Sequence, residues 1–510
     1  MRTRVEGRPA ATSRLSARRV ALPLVLLAAA VVGYIAVFTA AAWYKYANFM
    51  MGFDLAVHEQ VLWNTVHGRI AATSAFADTS SYFGIDIIPT ELLLAPLYAL
   101  APSTYTMLLL QTVAVGLGAV PVYRLVRRRF AAEPLLAALA PWAGLTLALC
   151  YLLYLPVEYA NLYEFQIRTF ATTLLLCALD AFETRRPGRF WLAALLALGC
   201  RNEVGFVLAG IGAYALTDRE LRAGGRRRLL FGWLPIVVGL AWVAISLGVL
   251  IPFFRGGRPS LYLRLLYGQF PDGAPWLGDG PAAILRTLAT RPGFVLGELF
   301  TGERGAMRLA YLLQMFLPLA FLPLLQPRLL LITLPIFGLN LLSSTPNIHA
   351  SIRYHYQALI VPFLIVGAGY ALAGLLRRRP AAGRGALAGL LALSLVCNLL
   401  FRNPLMGLAA RQPDHVRIAA AERLLARVPP EAALAATNTI GPHAARRERL
   451  YFFPGNVIYP REKVALGEFL LINSEEARPE GARLLAEMAA SGRYRRLAEE
   501  SGVSLWQRVR

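Results

Sequence analysis

Charged residues and cysteines are scarce in this 510-residue chain. Only 16 % of the residues are Asp, Glu, Lys or Arg, whereas 57 % are apolar. Soluble globular domains carry about 25 % charged and roughly 45–50 % apolar residues, so the composition excludes an ordinary soluble enzyme. The four cysteines lie in or beside apolar runs, without CxxC or Cys/His metal-ligand spacing. We therefore interpret Cys150, Cys177, Cys200 and Cys397 as packing residues.

The short motifs of soluble enzymes are also missing. The sequence contains no P-loop, GxSxG, HExxH or dinucleotide-binding fingerprint. A formal net charge of +22 would suggest nucleic-acid binding in a soluble protein. Here the basic residues, nearly all arginine, stand in short clusters between apolar runs. We expect no nucleic-acid partner and take the charge as a sign of membrane topology.

The apolar runs predict an all-α polytopic membrane bundle of about 11 segments. About 20 apolar residues cross a bilayer, and residues 21–43 form the first such run, behind a basic N-terminus at 1–20. The apolar core of a cleaved signal peptide is about 7–15 residues long, so we interpret 21–43 as a retained span. The other segments are predicted at 104–123, 134–156, 169–183, 190–200, 203–217, 229–252, 307–325, 328–345, 356–376 and 385–401.

Arginine clusters set the expected orientation in the cytoplasmic (inner) membrane. Four clusters border the segments, and cytoplasmic loops are enriched in Arg and Lys. All four are cytoplasmic if the N-terminus is cytoplasmic and 190–217 forms a paired or re-entrant element. The loops that then face outward are 44–103, 157–168, 253–306 and 346–355.

Residues 402–510 differ from the transmembrane domain at 21–401. They are more charged, and their short apolar runs at 433–438, 449–454 and 469–473 predict strands that alternate with helices. This pattern predicts a small C-terminal α/β domain, which the span count places outside the cell, so that the C-terminus is extracytoplasmic.

Ionisable residues beside apolar segments mark functional sites in membrane proteins, because their burial there is costly. The first outer loop predicts an amphipathic helix at the membrane surface with Asp54 near its N-terminus. Asp54 fits an N-cap, a catalytic base, or both. His58 lies one turn later on the same face. Glu59 lies to the side, where a solvated face and a catalytic role are both open.

Two arginines on the predicted outer side are candidate phosphate ligands, since a guanidinium presents a planar fork of donors. Arg201 lies between two half-length apolar runs, and the alternative for it is a plain ion pair with Glu203. Arg353, two residues before His355, precedes a span, where snorkelling to the headgroups is the alternative. The supporting polar residues are Asp86, Glu91, Asn161, Glu164, Arg168 and Glu203.

An outward carboxylate, cationic groups and aromatic walls suit transfer of a sugar from a lipid phosphate to an outside acceptor. A general base removes the proton of the acceptor hydroxyl, and positive groups stabilise the departing phosphate. The expected partners are a polyprenyl-phosphate sugar donor, membrane lipid, and a glycan, lipid or protein acceptor.

Five ordered blocks resemble a bacterial and archaeal membrane-protein family that carries the label domain of unknown function 2079. The blocks are GFDLAVHEQVLWNTVHG, LLLAPLYAL with the following LLLQ and PVYRL, YANLYEF, CRNEVG and SIRYHYQALIVPF, within about residues 45–400. This family is similar to the GT-C glycosyltransferase superfamily, integral enzymes that use polyprenyl-phosphate-linked sugars. The resemblance implies a GT-C-like bundle with Asp54 as the base.

The chain departs from the family pattern at several positions. Asp86 and Ile87 replace a usual His-Phe pair, Gln166 and Arg353 each replace a histidine, and Asn202 with Glu203 replaces an acidic pair. Some GT-C enzymes need a divalent ion held by carboxylates and histidines. Without these histidines no metal ligand or other cofactor is assigned, although a divalent cation stays open.

The alternative function is a transporter or flippase of a lipid-linked or polar substrate. Such proteins usually contain internal repeats and place charges near the bilayer midplane. No repeat is obvious in this sequence, and its charges cluster outward, which favours the enzyme. A non-catalytic envelope assembly protein would leave the outward carboxylates unexplained.

Overall fold

The computed structural model describes residues 10–76, 78–222, 224–260, 274–278, 280–453 and 461–509. Helices dominate, and within these residues five are long and apolar enough to cross a membrane. They are Ala21–Ala47 (the C-terminal part of the helix Ala10–Ala47), Thr104–Ala131, Pro134–Leu152, Arg226–Phe254 and Pro380–Ala409. The apolar helices Pro187–Leu198, Val204–Leu216, Pro327–Leu342 and Val361–Leu376 are shorter. By length and composition, five helices of the described residues are thus able to cross a membrane, and the count of eleven segments stays a prediction.

The remaining helices connect or cover these elements. Several helices begin on proline, whose missing N–H is not needed in the first turn. The bounds of the remaining helices are Phe53–Val66, Pro89–Leu92, Ala95–Leu100, Leu155–Tyr163, Arg168–Glu183, Arg219–Arg222, Pro281–Thr290, Pro292–Phe300, Gly302–Phe316, His415–Leu425, Gly441–Ala444, Arg461–Val464 and Arg478–Ala490.

The half-length helices Pro187–Leu198 and Val204–Leu216 flank residues 199–203 and bring them against the first loop. The Thr90 N–H donates to the Gly199 carbonyl at 3.0 Å. Val204–Leu216 also packs closely on the helix Arg226–Phe254, because a Cβ on Gly239 would lie 2.3 Å from the Gly205 carbonyl oxygen. Small residues permit such close helix packing. This packing fixes the position of residues 199–203, which connect the two half-length helices.

The helix Phe53–Val66 begins in the predicted first loop and is buried along most of its length. The sequence predicts a helix lying on the membrane surface, but this helix is covered by the C-terminal domain. The Gln60 amide donates to the Arg447 and Glu448 carbonyls at 3.3 and 3.0 Å, and the Phe53 N–H donates to Asn438 at 2.9 Å. The domain and the first loop therefore share one side of the bundle.

The C-terminal domain contains a five-stranded sheet in the order β2-β1-β3-β5-β4. Its strands are β1 (Leu434–Thr437), β2 (Leu450–Phe453), β3 (Phe469–Asn473), β4 (Tyr494–Glu500) and β5 (Val503–Arg508). β1 pairs in parallel with β2 and β3, whereas β5 runs antiparallel to β3 and β4. The first three strands match the predicted ones. The β4–β5 hairpin was not predicted, since β4 is rich in Arg and Glu.

Candidate active site

The helix Phe53–Val66 receives its N-terminal cap from a distant segment. Its N-cap residue is Gly52, so the expected capping role of Asp54 is wrong. The carboxylate of Glu164 accepts the Gly52 N–H through one oxygen and the Leu55 N–H through the other, each at 2.9 Å. Two of the N–H groups that lack a partner within the helix are satisfied in this way, and Asp54 keeps its carboxylate for other contacts.

The segment that carries this capping carboxylate is itself held in place. The Gln111 amide donates to the carbonyls of Asn161 and Glu164, both at 2.9 Å, and Lys45 donates to the Leu162 carbonyl at 2.9 Å. Burial and the neighbouring Asp54 charge raise the pKa of Glu164 to about 7, while Lys45 and the two capping N–H groups act in the opposite direction. The first turn of the helix is thereby fixed on the bundle.

Asp54 lies in the first turn, partly buried and next to both cations and hydrogen-bond donors. Burial raises the pKa of its carboxyl, and the charges of His58 and Arg201 lower it again. Hydrogen bonding from the side chains of Tyr163 and Gln166 lowers it further, with a net shift above the ordinary value. A carboxylate with a raised pKa is a better proton acceptor.

His58 lies on the same face as Asp54 and forms a buried pair with Glu91. Its Nδ1 atom is 2.7 Å from the Glu91 carboxylate. Burial lowers the pKa of His58, but the Glu91 charge and hydrogen bond, together with Asp54, outweigh this and give a net rise. The second Glu91 oxygen has no hydrogen-bond partner among the described residues. Since the Asp54 charge also acts on His58, the pair couples Asp54 electrostatically to the end of the first loop.

Arg201, whose charge acts on Asp54, belongs to a network of two guanidinium groups and two carboxylates. Arg201 pairs with the fully buried Asp86 at 2.8 Å, and Asn202 donates to the other Asp86 oxygen at 2.5 Å. Arg201 also lies 3.4 Å from Glu203, which accepts a hydrogen bond from Arg168. The expected Arg201–Glu203 pair is present, but within a larger network. Positive and negative charges are thus brought together in one network, and its Arg201 acts electrostatically on Asp54.

His355 completes the cluster from the segment before the helix Val361–Leu376. Its ring lies 5.6 Å from that of Tyr163, and the Arg168 guanidinium lies 5.2 Å over the neighbouring Tyr356 ring. Burial and the charges of Arg168 and Arg201 hold the pKa of His355 well below its usual value, so the ring is neutral. Within the described chain its buried Nδ1 atom has no hydrogen-bond partner, nor has the Arg168 Nε atom.

Three predicted site residues lie outside this cluster. Glu59 points to the opposite side, where it accepts hydrogen bonds from Thr104 and Tyr98. Arg353 is exposed and acts electrostatically on Tyr159, and no ion pair of its side chain occurs among the residues described here. Asn161 is buried in the bundle and accepts from the Thr112 hydroxyl at 3.3 Å.

Sequence reasoning gave too little weight to Tyr163, Gln166 and Arg168. Tyr163 is not singled out in the sequence analysis, and Arg168 is given there only as a supporting polar residue. The signal that could have found them is the density of polar and aromatic residues between 157 and 168. The described part of the chain holds no group of three His, Cys, Asp or Glu side chains that could bind a metal ion, so the donor set does not fit a divalent cation.

Comparisons with known proteins place this chain in a family. The family model described as "Predicted membrane protein (DUF2079)" matches residues 45–505. The fold is similar to that of ArnT from Cupriavidus metallidurans bound to undecaprenyl phosphate, with a TM-score of 0.53 and 14 % identity over 94 % of this chain and 98 % of that chain. The apo state of the same protein gives a TM-score of 0.51 at 14 % identity and the same coverage. No curated protein sequence matches this chain.

Proposed function

The chain belongs to the DUF2079 family of predicted membrane proteins, and on that premise we propose that it is an integral-membrane glycosyltransferase. It moves a sugar from a polyprenyl-phosphate donor to an acceptor on the outer side of the cytoplasmic membrane. The GT-C-like fold supports the class of enzyme. The structurally similar protein ArnT was crystallised with undecaprenyl phosphate bound, which supports a polyprenyl phosphate as the class of donor.

The observation that carries the proposal is the position of Asp54 beside Arg201, which is linked to Arg168 through Glu203. Its carboxylate has a raised pKa and feels the Arg201 charge directly. Arg168 shares the Glu203 carboxylate with Arg201. One proton acceptor and two guanidinium groups are what transfer from a phosphate donor requires.

The proposed reaction is a single displacement. Asp54 takes the proton of the acceptor hydroxyl as that oxygen forms a bond to the anomeric carbon of the sugar. The bond between the anomeric carbon and the phosphate oxygen breaks, and the electron pair leaves with the lipid phosphate. Arg168 and Arg201 stabilise the added phosphate charge, and His58 with Glu91 holds the base in place. No step passes through a metal ion.

The lipid chain of the donor supplies affinity from the membrane side. Each buried CH₂ group contributes about 0.8 kcal/mol, so the protein needs few polar contacts to retain the donor. We place the N-terminus in the cytoplasm and the Asp54 cluster outside, together with the C-terminal domain that covers the helix Phe53–Val66. The acceptor reaches the cluster from that side.

The test compares a deletion strain complemented with the wild-type gene or with the Asp54→Asn variant. Mass spectrometry of envelope glycans and lipid-linked intermediates measures the product. The wild type restores one glycan species and consumes its lipid-linked donor, whereas Asp54→Asn expresses normally and restores neither. If the variant restores the glycan, Asp54 is not the base. A lipid-linked sugar that is intact but on the wrong side of the membrane in the deletion strain would identify a flippase instead.

A further inference from the structure

A polar cleft of about 200 Å³ lies apart from the Asp54 cluster, between the C-terminal domain and the loop that joins the first two helices. Asn48, Phe49 and Met50 form one wall. The helix His415–Leu425 and the ends of two strands form the other. The same loop continues into Gly52 and the helix of Asp54.

The cleft coincides with the topological switch point of the sheet. β1 is flanked in parallel by β2 and β3, and the chain passes from β1 to β2 on one side before it returns to β3 on the other. Ligands of open α/β sheets bind in the crevice at the carboxyl ends of such strands. Thr439 and Ile440, which follow β1, and Asn473, which ends β3, line the cleft at this edge.

The lining is hydrogen-bonding but has no net charge. Three amide residues, Asn48, Gln412 and Asn473, line the cleft. The Asn48 and Asn473 amides donate to the Tyr44 carbonyl and to Glu476, so their oxygens are left to accept, whereas the exposed Gln412 amide can both donate and accept. The two charged lining residues, Asp414 and Arg417, neutralise each other at 3.2 Å. These groups match the hydroxyls of an uncharged ligand better than they match an anion.

Acidic groups behind the lining act against an anionic ligand. Glu475 pairs with Arg417, and Glu476 accepts the Thr439 N–H at 2.9 Å. Apolar side chains such as Met50 and Ile418 cover other parts of the surface. A surface that combines amides, a hydroxyl and apolar patches fits a sugar ring, which presents hydroxyls at its edge and C–H groups on its faces.

Phe49 adopts an unusual backbone conformation in the wall of the cleft. Its φ angle is +55°, in the left-handed region that bulky residues rarely adopt and glycine favours. The Met50 N–H bonds back to the Lys45 carbonyl at 3.0 Å, which closes the end of the first helix. The Phe49 ring stacks on His443 of the C-terminal domain at 3.6 Å between centroids. Strained residues of this kind cluster at ligand sites.

From the cleft, the strand ends and the uncharged lining, we infer that this site binds a neutral sugar unit of the acceptor. The acceptor is then a glycan or glycolipid, held by the C-terminal domain while its hydroxyl reaches Asp54. The role of the bound sugar as part of the acceptor rests on the proposed function. The binding of a sugar in the cleft does not depend on it.

The experiment measures binding to the full chain in lipid nanodiscs, without any transfer reaction. The probes are methyl glycosides of glucose, galactose, mannose and N-acetylglucosamine, detected by saturation-transfer NMR and titrated. Ile418→Trp fills the cleft, and we expect at least tenfold weaker binding. Val416→Trp is the matched control, because Val416 lies on the same helix, is 67 % exposed and does not line the cleft. Binding to the control stays within twofold of the wild type.

A milder variant covers the case in which Ile418→Trp does not fold. Gln412 is exposed at the rim, so Gln412→Ala leaves the core unchanged and weakens glycoside binding severalfold. The inference is overturned if no neutral glycoside binds, if Ile418→Trp or Gln412→Ala binds as the wild type does, or if a methyl uronate or a short peptide binds in preference.

Asp54→Asn separates this inference from the proposed function. The variant retains glycoside binding if the sugar lies in the cleft, and loss of binding would move the sugar to the Asp54 cluster. If glycosides bind the cleft while the wild type transfers no sugar, the proposed function fails and the binding site stands.

Discussion

Replacement of Glu59 by glutamine tests whether Glu59 is a buried residue outside the Asp54 cluster. Glu59 is fully buried, and burial raises its pKa to about 7 despite hydrogen bonds from Thr104 and Tyr98 and the Arg446 charge 3.8 Å away. The ordinary value is 4.5. A folded-state pKa above the unfolded one means that the wild type loses stability as the pH rises from about 4.5 to about 7.

Glu59→Gln removes this loss of stability, because the amide has the shape of the carboxyl group but does not ionise. The hydroxyls of Thr104 and Tyr98 can donate hydrogen bonds to the amide or accept them from it. Above pH 7 the difference of roughly 2.5 pKa units corresponds to at most about 3 kcal/mol. For a chain of this length that raises the melting temperature by about 3 °C. At pH 4.5 the two proteins melt within about 1 °C of each other.

The assay is thermal unfolding in nanodiscs between pH 4.5 and 8, with Glu303→Gln as the control, because Glu303 is exposed. Sugar transfer by Glu59→Gln stays near the wild-type rate, since Glu59 faces away from the cluster. A variant that melts below the wild type at pH 8, or a gain that is independent of pH, would refute the assigned burial cost. Loss of transfer in a stable Glu59→Gln protein would return this residue to the catalytic site.

Three further predictions concern the base, the cap and the cations. The rate of sugar transfer falls as the pH drops through the raised pKa of Asp54, and a pH profile that is flat down to pH 4 would contradict this. Gly52→Ala lowers the melting temperature by the equivalent of about 1–3 kcal/mol, because its Cβ would lie 2.3 Å from the Asn438 side chain. Asn438→Ala removes this side chain together with the acceptor of the Phe53 N–H, so in the Asn438→Ala background Gly52→Ala costs less than half as much, and an equal cost in both backgrounds would argue against the contact. Arg168→Lys keeps the charge but loses the planar fork of donors, so we expect undecaprenyl phosphate to bind at least fivefold more weakly in a titration. Arg353→Ala changes this affinity less than twofold. A larger loss with Arg353→Ala than with Arg168→Lys would assign the phosphate to Arg353 instead.

Local patterns predicted the parts of this protein that depend on neighbouring residues. Apolar runs located the five helices that are long and apolar enough to cross a membrane. The spacing of one helical turn put Asp54 and His58 on one face of a helix. The number of crossings was harder, because helices such as Val204–Leu216 are apolar but short.

Contacts between distant segments could not be predicted from spacing. The Glu164 carboxylate caps a helix that starts more than a hundred residues earlier in the chain, and Arg168 meets Glu203 from another loop. The same limit explains why Glu59 and Arg353 looked equivalent to their neighbours: only the packing of the C-terminal domain and of the segment 343–360 separates them from Asp54. The β4–β5 hairpin was not predicted, because the Arg and Glu side chains of β4 mask the alternation of apolar and polar residues that is typical of a strand.

The central claim is that Asp54 removes a proton during transfer of a sugar from a polyprenyl phosphate. The most direct measurement incubates purified wild type and Asp54→Asn with undecaprenyl-phosphate-linked sugars and candidate glycan acceptors in nanodiscs, and follows the release of undecaprenyl phosphate together with the glycosylated product. We predict equimolar release and product with the wild type for at least one sugar, and a rate at least a thousandfold lower with Asp54→Asn. Transfer by Asp54→Asn at the wild-type rate would contradict the account.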